Sequence, residues 1–455
     1  MGYGAQPNPT YGAQVFSLCV SLNRTSSSTS GPASIEVVYD ADPDRIAAIG
    51  HSAHCEHLSN LMGQIIFWLS AAAFAVVAIM RVTDPILPIV AIEFGLTVGG
   101  ASVIVTAFAV PYGLFQLLYG PLGDRFGKLT IVVFALGASA LFTTLCAFST
   151  SIEMLAALRF LTGAGTAAVV PLSLAFIADH FVYEVRQPVI ARYLNGLILG
   201  QIAGGSLGGI VAELFGWRVI FVIFGGLVGA MAYFVWRFSN HHRETLRPAP
   251  LSGRSLFAPY IALLRQRRPR TVIIAATIEG IFFFGGGAFI GAFLHQEFGL
   301  SYARVGAVLA CFGIGSLIYS NTAKYVVNAL GERGMILTGS LTMAGCYAAL
   351  AWAPSWQICI PILIVGGFGF FVMHNTLQTL ATELAPDNRG TAVALFAFSL
   401  MVGQGAGAAL LGSIIDRHGY SAAFCLIAVV VASLGMWFQG RLKADAPDTA
   451  SQSDY

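Results

Sequence analysis

The sequence predicts an all-α membrane protein: about twelve transmembrane helices in two parallel six-helix repeats. Three observations carry the prediction. Hydrophobic residues make up 56% of the 455-residue chain and charged residues 10%, where a soluble domain carries about 25% charged residues. The apolar residues gather into runs long enough to cross ~30 Å of hydrocarbon, which takes roughly 20 residues of helix. A shift of 203 residues brings one half of the pattern onto the other. In hydrocarbon no water is present to bind backbone donors and acceptors, so each run must satisfy its own groups as a helix.

Residues 1–62 read as a disordered cytoplasmic segment, because the stretches 23–30 and 40–45 are polar and no long apolar run surrounds them. The apolar patch 15–22 is too short for a secretory core with a cleavage site, so no cleaved signal peptide is expected. Met62 stands directly before the first apolar run, which leaves open a translation start there. Six spans follow, near 65–90, 101–119, 129–148, 153–178, 189–212 and 219–236. They form an N-terminal half, 63–238. A basic cytoplasmic linker occupies 239–271. Six more spans lie near 272–294, 304–323, 335–353, 357–381, 391–414 and 421–438, giving a C-terminal half, 272–440, with a cytoplasmic tail at 441–455.

Basic residues set the orientation, since Lys and Arg in short loops stay on the cytoplasmic side. The loop after the sixth span holds Arg237, Arg243, Arg247, Arg254, Arg265, Arg267, Arg268 and Arg270, while alternate loops hold only Arg218, Arg304 and Arg417. Both termini are therefore expected in the cytoplasm, with the chain in the inner (plasma) membrane. The 203-residue shift places Gly163 on Gly366, Arg186 on Arg389, Gln201 on Gln404, Glu213 on Asp416 and Phe221 on Phe424. It also matches Gly200, Gly204, Gly209 and Gly216 with Gly403, Gly407, Gly412 and Gly419. Two parallel repeats imply a binding cavity between them near the midplane, opened alternately to each side.

The 24 basic and 22 acidic residues nearly cancel, which argues against a nucleic-acid partner. Five of seven cysteines (Cys146, Cys311, Cys346, Cys359, Cys425) sit in apolar runs as small hydrophobes, without disulfide or zinc spacing. No cofactor or metal centre is expected. Gly204-Gly205-Ser206-Leu207-Gly208 matches Gly-x-Ser-x-Gly, but a nucleophile elbow needs a strand and a sharp turn, and this stretch lies inside a span. The chain does not read as an enzyme.

At the end of the second span stands Gly120-Pro121-Leu122-Gly123-Asp124-Arg125-Phe126-Gly127-Lys128. It resembles the loop signature of the major facilitator superfamily, in which the Asp and Arg latch the two halves on the cytoplasmic side. The resemblance implies a latch of Gly120, Asp124, Arg125, Gly127 and Lys128. The matching loop of the second half, Asn328-Ala329-Leu330-Gly331-Glu332-Arg333, has Asn in place of the carboxylate, so a weaker latch is expected there. Leu158-Arg159-Phe160-Leu161-Thr162-Gly163-Ala164-Gly165 is similar to the family's fourth-helix arginine signature, tied in proton-driven antiporters to proton transfer. A buried guanidinium needs a partner, so Arg159 is either a structural tie or part of the coupling site. Gly200-Gln201-Ile202-Ala203-Gly204-Gly205 resembles the antiporter signature, with Gln201 in place of its proline. Gly196, Gly200, Gly204 and Gly208 recur every fourth residue and offer a smooth face for helix packing. The resemblance covers about residues 63–440 and points to the twelve-span bacterial drug and metabolite proton antiporters. It implies efflux of a small organic molecule in exchange for protons. A proton-linked importer or facilitator of a metabolite is the alternative, and a non-transporting receptor a lesser one.

Ionisable groups within spans are functional hypotheses by default. Arg81 and Asp84 share one face of the first span and either pair or couple protons. Glu279, in the seventh span, has no cation near it in sequence and is the carboxylate expected to change protonation, unless Arg159 or another distant cation reaches it. His374, Asn375 and Gln378 form a polar stripe on the tenth span, for substrate or for interhelical hydrogen bonds, and Gln201 is a further cavity candidate. Phe282, Phe283, Phe284 and Phe289 suit an amphipathic substrate or plain packing. The expected partners are a small-molecule substrate, protons and the bilayer, with no nucleic acid.

Overall fold

The structure is a computed structural model that describes residues 53–181, 183–239, 257–385 and 389–444. The expected N-terminal segment up to residue 52, the linker stretch 240–256 and the tail beyond 444 lie outside the described residues. The first helix runs Ala53–Arg81, so residues 53–62, read from sequence as disordered, are helical. The stretch contains neither Pro nor Gly before Gly63, and extending a helix that already exists requires no new nucleus.

Among the described residues, ten helices are long and apolar enough to cross a membrane: Met62–Arg81, Val98–Phe126, Lys128–Cys146, Ile152–His180, Pro188–Phe215, Trp217–Ser239, Arg267–Phe298, Tyr302–Ala351, Trp356–Glu383 and Gly390–Arg441. Two of them, of 50 and 52 residues, would be about 75 Å long at 1.5 Å per residue, more than twice the hydrocarbon thickness. Each is two crossings folded back at a glycine outside helical geometry, Gly331 (φ 60°) in one and Gly419 (φ 79°) in the other. Twelve crossings result.

The repeat is visible in the backbone. Among the described residues, the glycines with positive φ are Gly95, Gly127, Gly216, Gly299, Gly331 and Gly419. They fall into three pairs, Gly95 with Gly299, Gly127 with Gly331 and Gly216 with Gly419, separated by 204, 204 and 203 residues. Side chains other than glycine rarely adopt this conformation, so the turns of one half are rebuilt in the other by the same residue type.

Close packing repeats in the same way. A Cβ on Gly200 or Gly204 of the fifth crossing would collide with the carbonyl oxygens of Phe74 and Ala78 in the first. A Cβ on Gly403 or Gly407 of the eleventh would collide with those of Thr277 and Ile281 in the seventh. Lipid tails are as apolar as Leu, so contact of this kind, not hydrophobic exclusion of water, draws such helices together.

The first crossing is not the continuous span 65–90 expected from hydropathy. Its helix stops at Arg81, residues 82–86 form a turn, and a short helix Leu87–Glu93 follows. Pro85 has no N–H for an i→i−4 bond, and the residue before a proline is pushed away from helical geometry. The break sets Arg81 and Asp84 at an interrupted crossing. The seventh is interrupted too: five residues after Glu279, Gly280–Phe284, are π-helical.

The halves meet on the face away from the linker. There Ser102 Oγ donates to the Ala408 carbonyl at 3.1 Å and Thr106 Oγ1 to the Gly405 carbonyl at 2.9 Å. On the linker face the second-to-third loop exposes Asp124 and Arg125, and the eighth-to-ninth loop exposes Asn328 and Glu332. A short helix of the linker, Ala258–Arg265, straps this face. Its Leu263 packs with Ile336, Met373 and Phe438 of the second half, and its Tyr260 hydroxyl donates to the Leu117 carbonyl of the first at 3.2 Å.

Candidate functional site

A cavity lies between the halves. The first crossing contributes Arg81 and Asp84, and the fifth Gln201, Ile202 and Gly205. Phe283, Phe284 and Gly287 of the seventh, Leu309 and Phe312 of the eighth, Met343 and Tyr347 of the ninth and Leu363 of the tenth complete the wall. One polar corner thus faces an aromatic and aliphatic wall. Such a lining suits an organic molecule with an apolar body and a few polar groups.

The corner is the Arg81–Asp84 pair. Arg81 Nη1 lies 3.7 Å from Asp84 Oδ2, and each residue is only 8% exposed. The turn created by Pro85 brings them together. The guanidinium also stands 5.2 Å from the centre of the Phe284 ring, in the other half, an attraction strengthened where water is excluded.

Glu279 has no cation near it in sequence, but a distant helix supplies a partner, and it is not Arg159. His374 Nδ1, from the tenth crossing, stands 3.0 Å from Glu279 Oε1. The two residues are 95 apart in sequence, and only the packing of the seventh crossing on the tenth joins them. Glu279 is fully buried, and its Oε2 has no hydrogen-bond partner among the described residues. The His374 ring stacks on Phe370 at 4.9 Å and meets the Phe284 edge at 5.9 Å. Phe284 therefore has the Arg81 guanidinium on one side and the imidazole on another, which connects the two ionisable pairs across the halves.

Arg159 goes elsewhere. It is 1% exposed, its Nη1 donates to the Ile79 carbonyl at 3.2 Å and its Nε to the Ile104 carbonyl at 3.4 Å. Its guanidinium lies 4.3 Å from the Phe108 ring centre. These contacts tie the first, second and fourth crossings together.

The polar stripe of the tenth crossing does not converge on one point. His374 turns to Glu279, Asn375 reaches Tyr319 of the eighth crossing, and Gln378 is exposed toward the linker face. Asn375 directly follows His374 and so leaves the helix on another side, while Gln378, one turn further along the same face, is exposed. Gln201 lines the cavity, and its glycine neighbours pack on the first crossing, so one helix serves both uses. At the loop signature, Gly127 (φ 92°) makes the turn, and Lys128 Nζ lies 3.5 Å from Asp124 Oδ1 and also pairs with Asp179. Arg125 stands 5.3 Å from the Phe126 ring centre. Asp124 thus has its ion partner within its own half.

Sequence reasoning overlooked Phe370, Phe312 and Tyr347. Phe370 stacks on Phe283 at 4.2 Å, and the Tyr347 hydroxyl donates to the Phe283 carbonyl at 3.2 Å. Phe370 precedes His374 by one helical turn, a spacing that could have tied it to that face.

Twelve crossings in two repeated halves around a central cavity define a membrane carrier. The profile of the Major Facilitator Superfamily matches residues 69–399 and 272–454, and the chain belongs to that superfamily of membrane transporters. It is similar to the uncharacterized MFS-type transporter YceJ of Bacillus subtilis, with 24% identity over 332 residues, 72% of this chain and 83% of that one. It is 23% identical over 373 residues to the inner membrane transport protein YnfM of Escherichia coli, covering 80% and 88% of the two chains. The crystal structure of the nucleoside transporter NupG has the same fold, with a TM-score of 0.66 at 11% identity, covering 84% of this chain and 99% of that one.

Proposed function

We propose that this transporter moves an amphipathic organic molecule outward in exchange for protons. The halves 63–238 and 272–440 rock about the central cavity, in an inner membrane with both termini in the cytoplasm. The observation that carries the reading is the Glu279–His374 pair: a fully buried carboxylate 3.0 Å from an imidazole, behind the aromatic wall of the cavity. An ionisable group in a membrane core is costly and is retained for use. Imidazole is the side chain whose charge changes most readily near neutral pH. A proton gained or lost at this pair alters the charge behind Phe284, whose ring also contacts Arg81 beside Asp84. Substrate in the cavity and proton at the pair thereby act on the same ring. The five-residue π-helical stretch that follows Glu279 supports this assignment, because such bulges are frequent at functional sites.

A proton-linked importer or facilitator is the second reading, favoured by Gln201, which lines the cavity where the antiporter signature has a proline. Proteoliposomes separate the two. Proton flux is recorded while a compound panel is added under each gradient direction. Efflux in exchange for protons gives substrate-stimulated proton movement opposite to the substrate. Movement of both in one direction selects the importer, and substrate flux with no proton flux removes coupling from the reading.

A further inference from the structure

We propose that Glu213 and Asp416 form a matched pair of caps, each reaching from one half to a helix start of the other, that holds shut the face opposite the linker. Asp416, at the end of the eleventh crossing, accepts from Thr97 Oγ1 at 2.6 Å through Oδ2 and from the Gly99 amide at 3.0 Å through Oδ1. Thr97 is itself the N-cap of the second crossing, where its hydroxyl oxygen accepts from the Gly100 amide at 2.9 Å. Glu213, at the end of the fifth crossing, accepts from the Ala303 amide at 2.7 Å through Oε2. The N-cap of that eighth crossing is Ser301. The two links are equivalent under the internal repeat: Glu213 and Asp416 are 203 residues apart, and Thr97 and Ser301, like Gly99 and Ala303, are 204 apart.

Each carboxylate binds the helix of the opposite half, so neither link survives separation of the halves on this face. Glycines bring the backbones close enough to form them. A Cβ on Gly412 would collide with Gly99, and one on Gly209 with the Tyr302 carbonyl oxygen. The first amides of a helix lack intrahelical partners and carry partial positive charge, so a carboxylate there is favoured. Both carboxylates are also exposed to solvent. Water replaces such bonds at little cost, as an element that opens and closes in every cycle requires.

The gating role rests on alternating access, but it is tested by distance and not by flux, so its failure is separable from failure of the transport reading. Spin labels are placed at Thr150 and Pro354, exposed on this face in opposite halves, in a variant lacking the seven native cysteines. A second pair at Thr130 and Glu332 reports the linker face. Glu213→Gln and Asp416→Asn should each raise the long-distance population at the first pair by roughly three- to tenfold, compounding in the double variant, as loss of one helix cap implies. The second pair should shorten in step. Thr97→Ala removes the hydroxyl that meets Asp416 and carries the test if the double variant fails to insert. Unchanged distances at Thr150–Pro354 in the inserted variants would overturn the gate.

Discussion

At the residue scale, the carboxylates Glu279 and Asp84 differ in what surrounds them. Asp84 is beside Arg81, three residues along the turn at Pro85, while Glu279 faces the His374 imidazole of another crossing. Glu279→Gln should therefore abolish gradient-driven transport yet retain substrate binding and exchange, with Asp84→Asn acting mainly on binding. Gradient-driven transport in Glu279→Gln at the wild-type rate would return the coupling role to Asp84 with Arg159. Arg159 predicts a different loss. Replacing it by Leu leaves the Ile79 carbonyl, at the broken end of the first helix, without its donor, and an unsatisfied buried acceptor costs about 1–3 kcal/mol. Thermal unfolding in detergent should show Arg159→Leu destabilised, whereas a residue used only for coupling would leave the melting temperature unchanged.

At the scale of elements, the first and fifth crossings are held by backbone contact along glycines spaced four apart. Gly196, Gly200 and Gly204 face the carbonyls of Ser70, Phe74 and Ala78. Gly204→Val has nowhere to put its side chain except into Ala78 and Arg81, so overpacking of about 1–3 kcal/mol is expected. It should also displace Arg81 from the cavity. Gly226→Ala is the control, since nothing lies within 4 Å of its added Cβ, and its effect should stay within about 0.5 kcal/mol. Equal melting temperatures for the two variants would show that the glycine face does not hold the helices.

At the scale of the whole molecule, the proposed orientation places the linker face in the cytoplasm. Reporter fusions at residues 255 and 445 should both give a cytoplasmic signal, and a periplasmic signal from either would reverse the topology. Asp124→Asn should impair transport without loss of insertion. The cluster of the exposed Asp124 and Asp179 around the half-buried Lys128 is expected to rearrange as the linker face closes, and a few kcal/mol suffices to depopulate one conformer. Wild-type flux in this variant would reduce the signature to a turn.

What the sequence alone determined follows from local chemistry that hydrocarbon leaves no choice about. Long apolar runs must be helices, and a repeat of sequence must be a repeat of structure. Even so, hydropathy read through Pro85 as one span, because a window average over apolar residues is blind to a single missing N–H. What tertiary structure decided is which side of each helix turns inward. Arg81 and Asp84, three residues apart, could be paired on paper. Glu279 with His374, Arg159 with two distant carbonyls, and Glu213 and Asp416 with helix starts in opposite halves could not. A helix offers its polar groups in every direction around its axis, and only the packing of neighbours selects the direction that meets a partner.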